Sequence, residues 1–450
     1  MRVPTIIGAV ALLAAAGAAS AQSRGPEAGS CSVEDYGAKA DDGALDTAAF
    51  NRAIADCTAR SLTVVVPAGT WDLGQVTLVS NLRLHLAGGA VLRASPDLAQ
   101  FPPHPALHES GTHRPFLIGA GVENVEIFGL GAIDGSGPAY WGKEDRDRIR
   151  FGLIVQGCRN VKVRDITVRD TPMFLMGIMD CNNVVVDGVT LTAPADSPNT
   201  DGLQIIDSSD VRVSNCLISV GDDGIVPKMR RRVIERLIVD NCTIQSDDGA
   251  IKLGTRSSSG MRDSLFSDIT ITNSRYGIAM FMIHGGVYEN IRFSNVRIAT
   301  GGRHPRHYPI FIDIDDRADT PDQQGTAAPR PLGRIAGLTF DGIDITTGGN
   351  IMIGGHPASP VTDLTMTDIR MRVSDAQRLP DLAGKPRGNR TFQPVPGSPD
   401  YSGVDAHIVL GSVDGARLAG VDIKAARPED TRRAIAMPDS RNIVIEGASQ

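Results

Sequence analysis

Aromatic residues, an excess of basic charge and long apolar segments are all scarce in this 450-residue sequence. Only 4% of the residues are aromatic although 41% are hydrophobic, so a large core must be built from small and branched side chains. The formal net charge is −7, whereas a nucleic-acid-binding protein would carry a basic face. We therefore expect no nucleic-acid partner.

No segment after residue 21 is apolar over a length that could cross a bilayer. The start of the chain combines a basic residue at Arg2, an apolar run from Ile6 to Ala19 and a small-x-small site that ends at Ala21. This pattern is typical of a secretory signal peptide over residues 1–21. We expect cleavage near Ala21, a single domain over residues 22–450, and a secreted or periplasmic monomer without a membrane partner.

The six cysteines lack the close C-x-x-C spacing of a zinc site. In an exported protein they can form disulfides. Cys31 and Cys57 flank a predicted helix and are the best candidates for a pair. The other four occupy matching places in repeated segments, and the sequence leaves open whether they form disulfides or stacked buried thiols: Cys158 with Cys181, and Cys216 with Cys242.

A polar turn followed by short alternating strands recurs along the chain, and 49 glycines indicate many turns and few helices. Copies begin at Asn160, Asn183, Asp210 and Glu235, at intervals of 23, 27 and 25 residues. This period, with three strands per copy, predicts an all-β fold, a right-handed parallel β-helix. A short helix that begins after Asp46, its expected N-cap, would cover the N-terminal end of the solenoid.

Three glycine- and proline-rich segments interrupt the repeats, at residues 95–115, 301–333 and 374–403. We expect them to project as loops from the corners of the solenoid. Some of them would then form the walls of a cleft.

Two acidic motifs, N-T-D-G at residues 199–202 and G-D-D-G at residues 221–224, are the strongest chemical signal in the sequence. The 21 residues from Asp201 to Asp222 are a plausible length for one coil, which would bring Asp201, Asp222 and Asp223 together. Like charges at short range separate one another's pKa values, as acid/base catalysis requires. Taken singly, each of these residues could equally be a turn former.

These motifs, the segment Tyr36 to Lys39 with the helix that follows it, and the glycine-rich segment Gly131 to Gly137 with Trp141 resemble the polygalacturonase family, glycoside hydrolase family 28. The likeness runs from about Cys31 to Asn295. It implies a β-helix that hydrolyses glycosidic bonds in pectin with inversion at the anomeric carbon.

By this resemblance Asp222 is the general acid, while Asp201 and Asp223 hold and activate the attacking water. Asn199 and Tyr276 lie in matching motifs and would contact the substrate, a polysaccharide or oligosaccharide. We expect no cofactor and no metal.

Two further family motifs are missing. The chain has no histidine in the segment from Ser246 to Thr255, where the family has Gly-His-Gly. The family's Arg-Ile-Lys is replaced by Ala279, Met280 and Phe281.

The lost arginine and lysine would have bound the carboxylate of galacturonate. A pocket lined by Met280 and Phe281 would favour a less charged sugar, unless another coil supplies the cation. The candidates are Lys228, Lys252 and Arg256, although Lys228 and Lys252 could equally neutralise neighbouring carboxylates.

Three other features have simpler interpretations. We interpret Asp247 and Asp248 as turn residues, although they could enlarge the acidic cluster or bind a cation. His284 is expected to be exposed in a glycine-rich turn, and Arg230 to Arg232 to form a solvated corner.

Three functions compete with pectin hydrolysis. The first is hydrolysis of a glycan without uronate. The second is a β-helix lyase or epimerase whose aspartates bind calcium. The third is a solenoid that binds carbohydrate without catalysis.

Overall fold

The computed structural model describes residues 29–107, 113–304, 306–314, 331–374, 399, 401, 403–427 and 430–447. The predicted signal peptide lies outside the described residues, as do parts of the three predicted loops. In the described part of the chain, no helix is long and apolar enough to span a membrane.

The described residues form one α-helix, four single 3₁₀ turns and 34 β-strands. The helix α1 spans Thr47–Ala59, and the 3₁₀ turns span Val33–Tyr36, Leu98–Gln100, Gly137–Ala139 and Asp145–Asp147. The strands, in chain order, are β1 Ser30–Ser32, β2 Thr63–Val66, β3 Gly69–Leu73, β4 Val76–Thr77, β5 Arg83–Leu86, β6 Ala90–Ala94, β7 Pro115–Ala120, β8 Glu123–Gly129, β9 Ala132–Asp134, β10 Phe151–Gln156, β11 Arg159–Arg164, β12 Thr167–Arg169, β13 Phe174–Met179, β14 Asn182–Asp187, β15 Thr190–Thr192, β16 Leu203–Ile206, β17 Ser209–Ser214, β18 Leu217–Val220, β19 Ile225–Lys228, β20 Val233–Glu235, β21 Ile238–Asp240, β22 Thr243–Ser246, β23 Gly249–Leu253, β24 Gly260–Ser274, β25 Tyr276–Met282, β26 Val287–Thr300, β27 Tyr308–Ile314, β28 Arg334–Thr347, β29 Ile351–Gly354, β30 Val361–Val373, β31 Ala406–Gly411, β32 Val413–Ala425, β33 Arg433–Ala436 and β34 Arg441–Glu446.

These strands belong to two parallel sheets, one of 22 strands and one of 12 strands within the described residues. The coils from β4 to β18 each contribute one strand to the smaller sheet and two to the larger sheet, as β10, β11 and β12 do. The coil that begins with β19 contributes three strands to the larger sheet, β20, β21 and β22. From β24 onward the two strands of the larger sheet merge into one long strand. The predicted parallel β-helix is confirmed. The smaller sheet, in the order β4, β7, β10, β13, β16, β19, β23, β25, β27, β29, β31 and β33, presents the face that carries the acidic motifs.

The helix α1 covers the N-terminal end of the solenoid, as predicted. Its buried face includes Phe50, which packs edge-on against Trp71 with ring centroids 5.6 Å apart. Asp46 holds the N-cap position, but its carboxylate accepts a hydrogen bond from the Lys39 backbone N–H (3.0 Å) and none from the first turn of the helix. The helix is therefore anchored through the preceding turn.

The predicted disulfide between Cys31 and Cys57 is present and joins the first strand to this helix. Such a link restricts the unfolded chain at the end of the solenoid, where each coil has only one neighbour. The other four cysteines are free, buried thiols, stacked on neighbouring coils as Cys158 with Cys181 and Cys216 with Cys242.

A ladder of asparagine side chains runs along one corner of the N-terminal coils. The Nδ2 groups of Asn124, Asn160 and Asn183 each donate to the asparagine one coil earlier, over 3.0, 2.9 and 2.7 Å, starting from Asn81. All four residues have positive φ, a conformation that asparagine adopts more readily than other residues with a Cβ. The repeated polar turns therefore stabilise the coil corners.

The interior of the solenoid is filled mainly by columns of Val, Ile and Leu, with a stack of phenylalanines in the C-terminal half. Phe293 lies between Phe266 and Phe340, with ring centroids 4.7 and 5.2 Å apart and nearly parallel planes. Each ring occupies the same register position on successive coils. The stack therefore couples three coils through one column of side chains.

We expect Phe293→Ala to lower the free energy of unfolding by about 3–5 kcal/mol, because Phe293 is 0% exposed and its loss leaves a cavity between two rings. Chemical denaturation followed by circular dichroism measures this change. Leu217→Ala is the control, since Leu217 is 51% exposed and should change stability little. Equal effects of the two substitutions would contradict the proposed role of the stack.

Candidate active site

The three aspartates meet on the outer face of the smaller sheet, at the start of two neighbouring strands. The pairing of β16 with β19 places Leu203 beside Ile225, and the same register brings Asp201 beside Asp223. Asp223, rather than Asp222, is therefore the direct neighbour of Asp201. One oxygen from each of Asp201, Asp222 and Asp223 lies within 4.8 Å of the others.

The glycines of both motifs permit this close stacking. A Cβ atom on Gly202 would lie 2.6 Å from the carbonyl oxygen of Gly224, and one on Gly224 would lie 2.5 Å from that of Ala250. The buried hydroxyl of Thr200 accepts a hydrogen bond from the Gly221 N–H (3.1 Å) and so joins the two motifs. The motif residues around the acids therefore fix the spacing of the coils.

Burial and repulsion between carboxylates raise the pKa values of two of the three aspartates, Asp222 and Asp223. Burial raises the pKa of Asp222 well above its usual range, and the charges of Asp201 and Asp223 raise it further. Among the described residues, the Asp222 side chain has no hydrogen-bond partner. Its surroundings therefore favour the protonated form of Asp222.

The other two aspartates are held by polar partners. Asp201 accepts a hydrogen bond from the Gln204 amide (2.7 Å), and the Lys228 ammonium lies 3.7 Å from the same Asp201 oxygen. Asp223 accepts from the Lys252 ammonium (2.7 Å) through one oxygen and from the Gly249 N–H (3.1 Å) through the other. Burial raises the pKa of Asp223 to about 7, although Lys252 opposes this increase.

A chain of charges continues from Lys252 toward the C-terminal coils. Lys252 also contacts Asp248 (3.5 Å), which is paired with Arg275 (3.1 Å). Asp247 is paired with Arg303 (2.8 Å) and lies 3.4 Å from the His304 ring. Asp247 and Asp248 are therefore counter-ions of a basic wall, a role beyond that of turn residues.

The substrate-binding residues expected from the sequence occupy different settings. Asn199 is partly exposed near the acids and its amide oxygen accepts from Arg148 (2.7 Å). Tyr276 is 2% exposed and stacks on Tyr308, so its ring supports the coil behind the groove. Arg256 lies one coil beyond Lys228, and its charge lowers the pKa of Arg230, whose main perturbation is burial.

The expectation that Met280 and Phe281 line the pocket together is wrong for Met280. Neighbouring residues of a strand point to opposite faces, and Met280 packs in the interior of the solenoid. Phe281 lies on the outer face in a separate apolar cluster, with the Lys252 ammonium 5.7 Å from its ring centroid. Lys252 is in register with Ala279, the residue that replaces the arginine of the family motif. A cation is therefore present one coil before the position of that arginine.

His284 differs from its sequence-based interpretation, whereas Arg231 and Arg232 are exposed at a corner, as expected. His284 is 5% exposed rather than exposed, and its Nδ1 lies 2.6 Å from the carbonyl oxygen of Thr255. The backbone N–H groups of Arg230, Arg231 and Arg232 all donate to one carboxylate oxygen of Asp207, over 2.7–3.1 Å. The arginine run therefore forms a structured turn.

Sequence patterns did not indicate several residues that complete the site. Gln204 lies three residues after Asp201 in a strand, and only the alternation of the strand could have suggested it. Arg148 and Arg150 precede β10 and reach the site from earlier coils, which no local motif reveals.

Within the described residues, the three aspartates are the acidic group compact enough to hold a metal ion. Their carboxylate oxygens would suit a hard divalent cation. Lys228 and Lys252 already provide positive charge beside two of the three. The arrangement is therefore suited to proton transfer without a further cation.

A parallel β-helix with an acidic cluster on one open face is typical of a class of carbohydrate-active proteins. Comparisons with known proteins place the chain in the same class. The sequence profile described as "Glycosyl hydrolases family 28" matches residues 57–379. The chain belongs to this family, and it is a glycoside hydrolase.

Similar proteins are found among both sequences and solved structures. The chain is 28% identical over 388 residues to a probable polygalacturonase of Vitis vinifera, which covers 76% of this chain and 77% of that protein. It is 26% identical to an exopolygalacturonase of Zea mays over 69% of this chain and 75% of that protein. A family 28 exopolygalacturonase structure from Yersinia enterocolitica superposes with a TM-score of 0.68 at 15% identity, over 93% of this chain and 78% of that one. A polygalacturonase structure from Erwinia carotovora gives 0.63 at 18% identity, over 78% and 94%.

We expect Lys252→Met to make stability fall more steeply between pH 4 and pH 8. The folded-state pKa of Asp223 is about 7, above its usual value, so the folded protein holds this proton longer than the unfolded chain does. Stability is therefore lost as pH rises through this range. Loss of the Lys252 charge raises the pKa of Asp223 further, and each added unit costs about 1.4 kcal/mol at the upper end of the range.

Thermal unfolding at a series of pH values measures this effect. Lys162→Met, at an exposed position on the larger sheet, is the control and should follow the parent protein. Parallel stability curves for Lys252→Met and the parent would show that Lys252 does not set the proton affinity of Asp223.

Proposed function

We propose that this protein is an exported hydrolase that cleaves glycosidic bonds in pectin or a related acidic polysaccharide. The observation that carries the proposal is the difference in surroundings among the three aspartates. The pKa of Asp222 is raised well above its usual range and its side chain has no hydrogen-bond partner among the described residues, while Asp201 and Asp223 are each held by a cation or an amide. The names of the similar proteins and the secretory pattern of residues 1–21 support the substrate and the export.

In the proposed reaction Asp222 donates its proton to the leaving glycosidic oxygen. Its raised pKa keeps that proton available near neutral pH. Asp201 has one oxygen engaged by Gln204 and Lys228, which leaves the other to accept a proton from water. Asp223, fixed by Lys252 and the Gly249 N–H, helps to position the water and supports the positive charge that develops on the sugar ring.

Inversion at the anomeric carbon is the stereochemistry we propose. Both oxygens of Asp223 already accept hydrogen bonds, which makes it a poor nucleophile. One observation favours a second candidate, a double displacement with retention. The oxygens of the three aspartates lie within 4.8 Å, closer than the roughly 6.5–9.5 Å typical of inverting enzymes.

We expect Asp222→Asn to lower kcat at least about 1,000-fold, because the amide cannot donate a proton to the leaving oxygen. Reducing-end release from polygalacturonate measures this loss. Asp165→Asn is the matched control, since Asp165 is at a corner of the larger sheet and its substitution should leave kcat unchanged. Near-normal turnover by a folded Asp222→Asn protein would rule out Asp222 as the acid.

Proton NMR of the first product decides the stereochemistry. We expect the newly formed reducing end to appear first as the anomer opposite to the linkage cleaved, followed by mutarotation. The same anomer as in the substrate would instead indicate retention and would assign Asp201 the role of nucleophile.

The same assay separates hydrolysis from the other candidate functions. A lyase would produce an unsaturated sugar that absorbs in the ultraviolet, and a calcium-dependent one would stop in a chelator. A binding module would retain glycan without releasing reducing ends. Release of reducing ends that is insensitive to chelator, without new ultraviolet absorbance, is the expected result.

A further inference from the structure

A pair of basic side chains over Phe174 lies beside the acidic cluster, on its N-terminal side. The Arg150 guanidinium carbon is 4.5 Å from the centroid of the Phe174 ring, and the Lys228 ammonium is 5.2 Å from it. Leu175, the residue after Phe174, donates its N–H to the carbonyl oxygen of Asp201 (2.9 Å), and the Lys228 ammonium lies 3.7 Å from a carboxylate oxygen of Asp201. The pair therefore adjoins the acids.

Arg150 differs from the other groove arginines in its lack of a counter-ion. Arg148, Arg275 and Arg303 are each paired with an aspartate. Among the described residues, no carboxylate oxygen lies within 4.0 Å of Arg150, its Nε has no hydrogen-bond partner, and its Nη1 contacts only the sulfur of Met173 at 3.6 Å. Burial lowers the pKa of Arg150, with Asp145 and Asp201 as the nearest opposing charges.

Two backbone hydrogen bonds fix the position of Arg150, although the Nε of its side chain has no hydrogen-bond partner. Its N–H donates to the carbonyl oxygen of Arg114 (2.7 Å), and its carbonyl oxygen accepts from the Phe174 N–H (3.1 Å). The Arg150 side chain is half-buried and its Nε is fully buried without a partner. A partly buried guanidinium that lacks an anion is costly for a fold, so a ligand that supplies the anion is favoured.

The surroundings of the pair are complementary to one face of a sugar that carries an acidic substituent. Met173, Phe174 and Ile206 form an apolar floor, and Ile206 is in register with Lys228. A planar guanidinium matches a carboxylate through two parallel hydrogen bonds, and the ammonium adds a second charge.

We propose that Arg150, together with Lys228, binds the carboxylate of the uronate residue that lies next to the cleaved bond on the N-terminal side of the aspartates. This inference rests on the proposed function. It identifies the substrate as acidic despite Ala279 and Phe281, and it assigns the specificity to a coil on the other side of the aspartates.

The test compares an oligogalacturonate with the carboxyl-reduced oligosaccharide of the same length and linkage. We expect the parent enzyme to prefer the acidic substrate and Arg150→Met to reduce kcat/KM for it about tenfold to a hundredfold, mostly through KM. The neutral substrate should be cleaved almost as well as before, so the preference for charge collapses. Arg150→Lys should restore part of it.

Arg212→Met is the matched control, because Arg212 is paired with Asp240 on the larger sheet and should leave both substrates unaffected. Thermal unfolding verifies that each variant is folded. Should Arg150→Met fail to fold, Lys228→Met provides the same reading. The ratio between acidic and neutral substrates cancels any effect of Lys228 on Asp201, and we expect that ratio to fall.

Three results would overturn the inference. One is an unchanged ratio of kcat/KM between the two substrates in the folded variants, which includes an equal loss on both. A parent enzyme that cleaves both substrates equally well would refute acidic specificity while leaving the hydrolase intact. A parent enzyme that releases reducing ends from neither would refute the proposed function and the inference with it.

Discussion

The hydrogen-bonded stacking of successive coils is the constraint on which the rest of the molecule depends. Parallel pairing places a side chain beside its equivalent on the next coil, roughly 4.8 Å away. At the site this rule brings Asp201 next to Asp223 and leaves little room for their charges to separate. The raised pKa values of Asp222 and Asp223 are a direct consequence of burial at that spacing.

The cost of gathering these acids is offset by cations from neighbouring coils. Lys228 approaches Asp201, and Lys252 binds Asp223 while it also contacts Asp248. Asp222 has no such partner among the described residues, so no hydrogen bond opposes the rise in its pKa that burial and the charges of Asp201 and Asp223 cause. The three aspartates therefore differ in their partners, and the different roles proposed for them rest on that difference.

Much of this could be predicted from the sequence because it is encoded in short patterns. The repeated polar turns predicted the coils, and the N-T-D-G and G-D-D-G motifs located the acids. The disulfide between Cys31 and Cys57 was anticipated from its position around α1. Spacing alone could not decide whether Asp222 or Asp223 stands beside Asp201, because a difference of one residue exchanges the two faces of a strand.

The remaining features depend on contacts between distant coils. His284 is buried against Thr255, and Arg150 reaches Phe174, neither of which has a local sequence signal. A motif comparison aligns Met280 with a residue of the family motif but does not show which face of the strand carries its side chain. In the structure that side chain points into the interior of the solenoid. Tertiary packing therefore supplied the information that periodicity lacked.

The close approach of Gly202 to the carbonyl group of Gly224 also limits how the enzyme can evolve. Insertion or deletion of one residue beside these glycines would exchange the faces of the strand and turn one of the three carboxylates away from the cluster. Changes of length are tolerated better between the repeats, where the sequence has its glycine- and proline-rich segments, 95–115, 301–333 and 374–403. Such a scaffold can change those segments while the spacing of its aspartates stays in place.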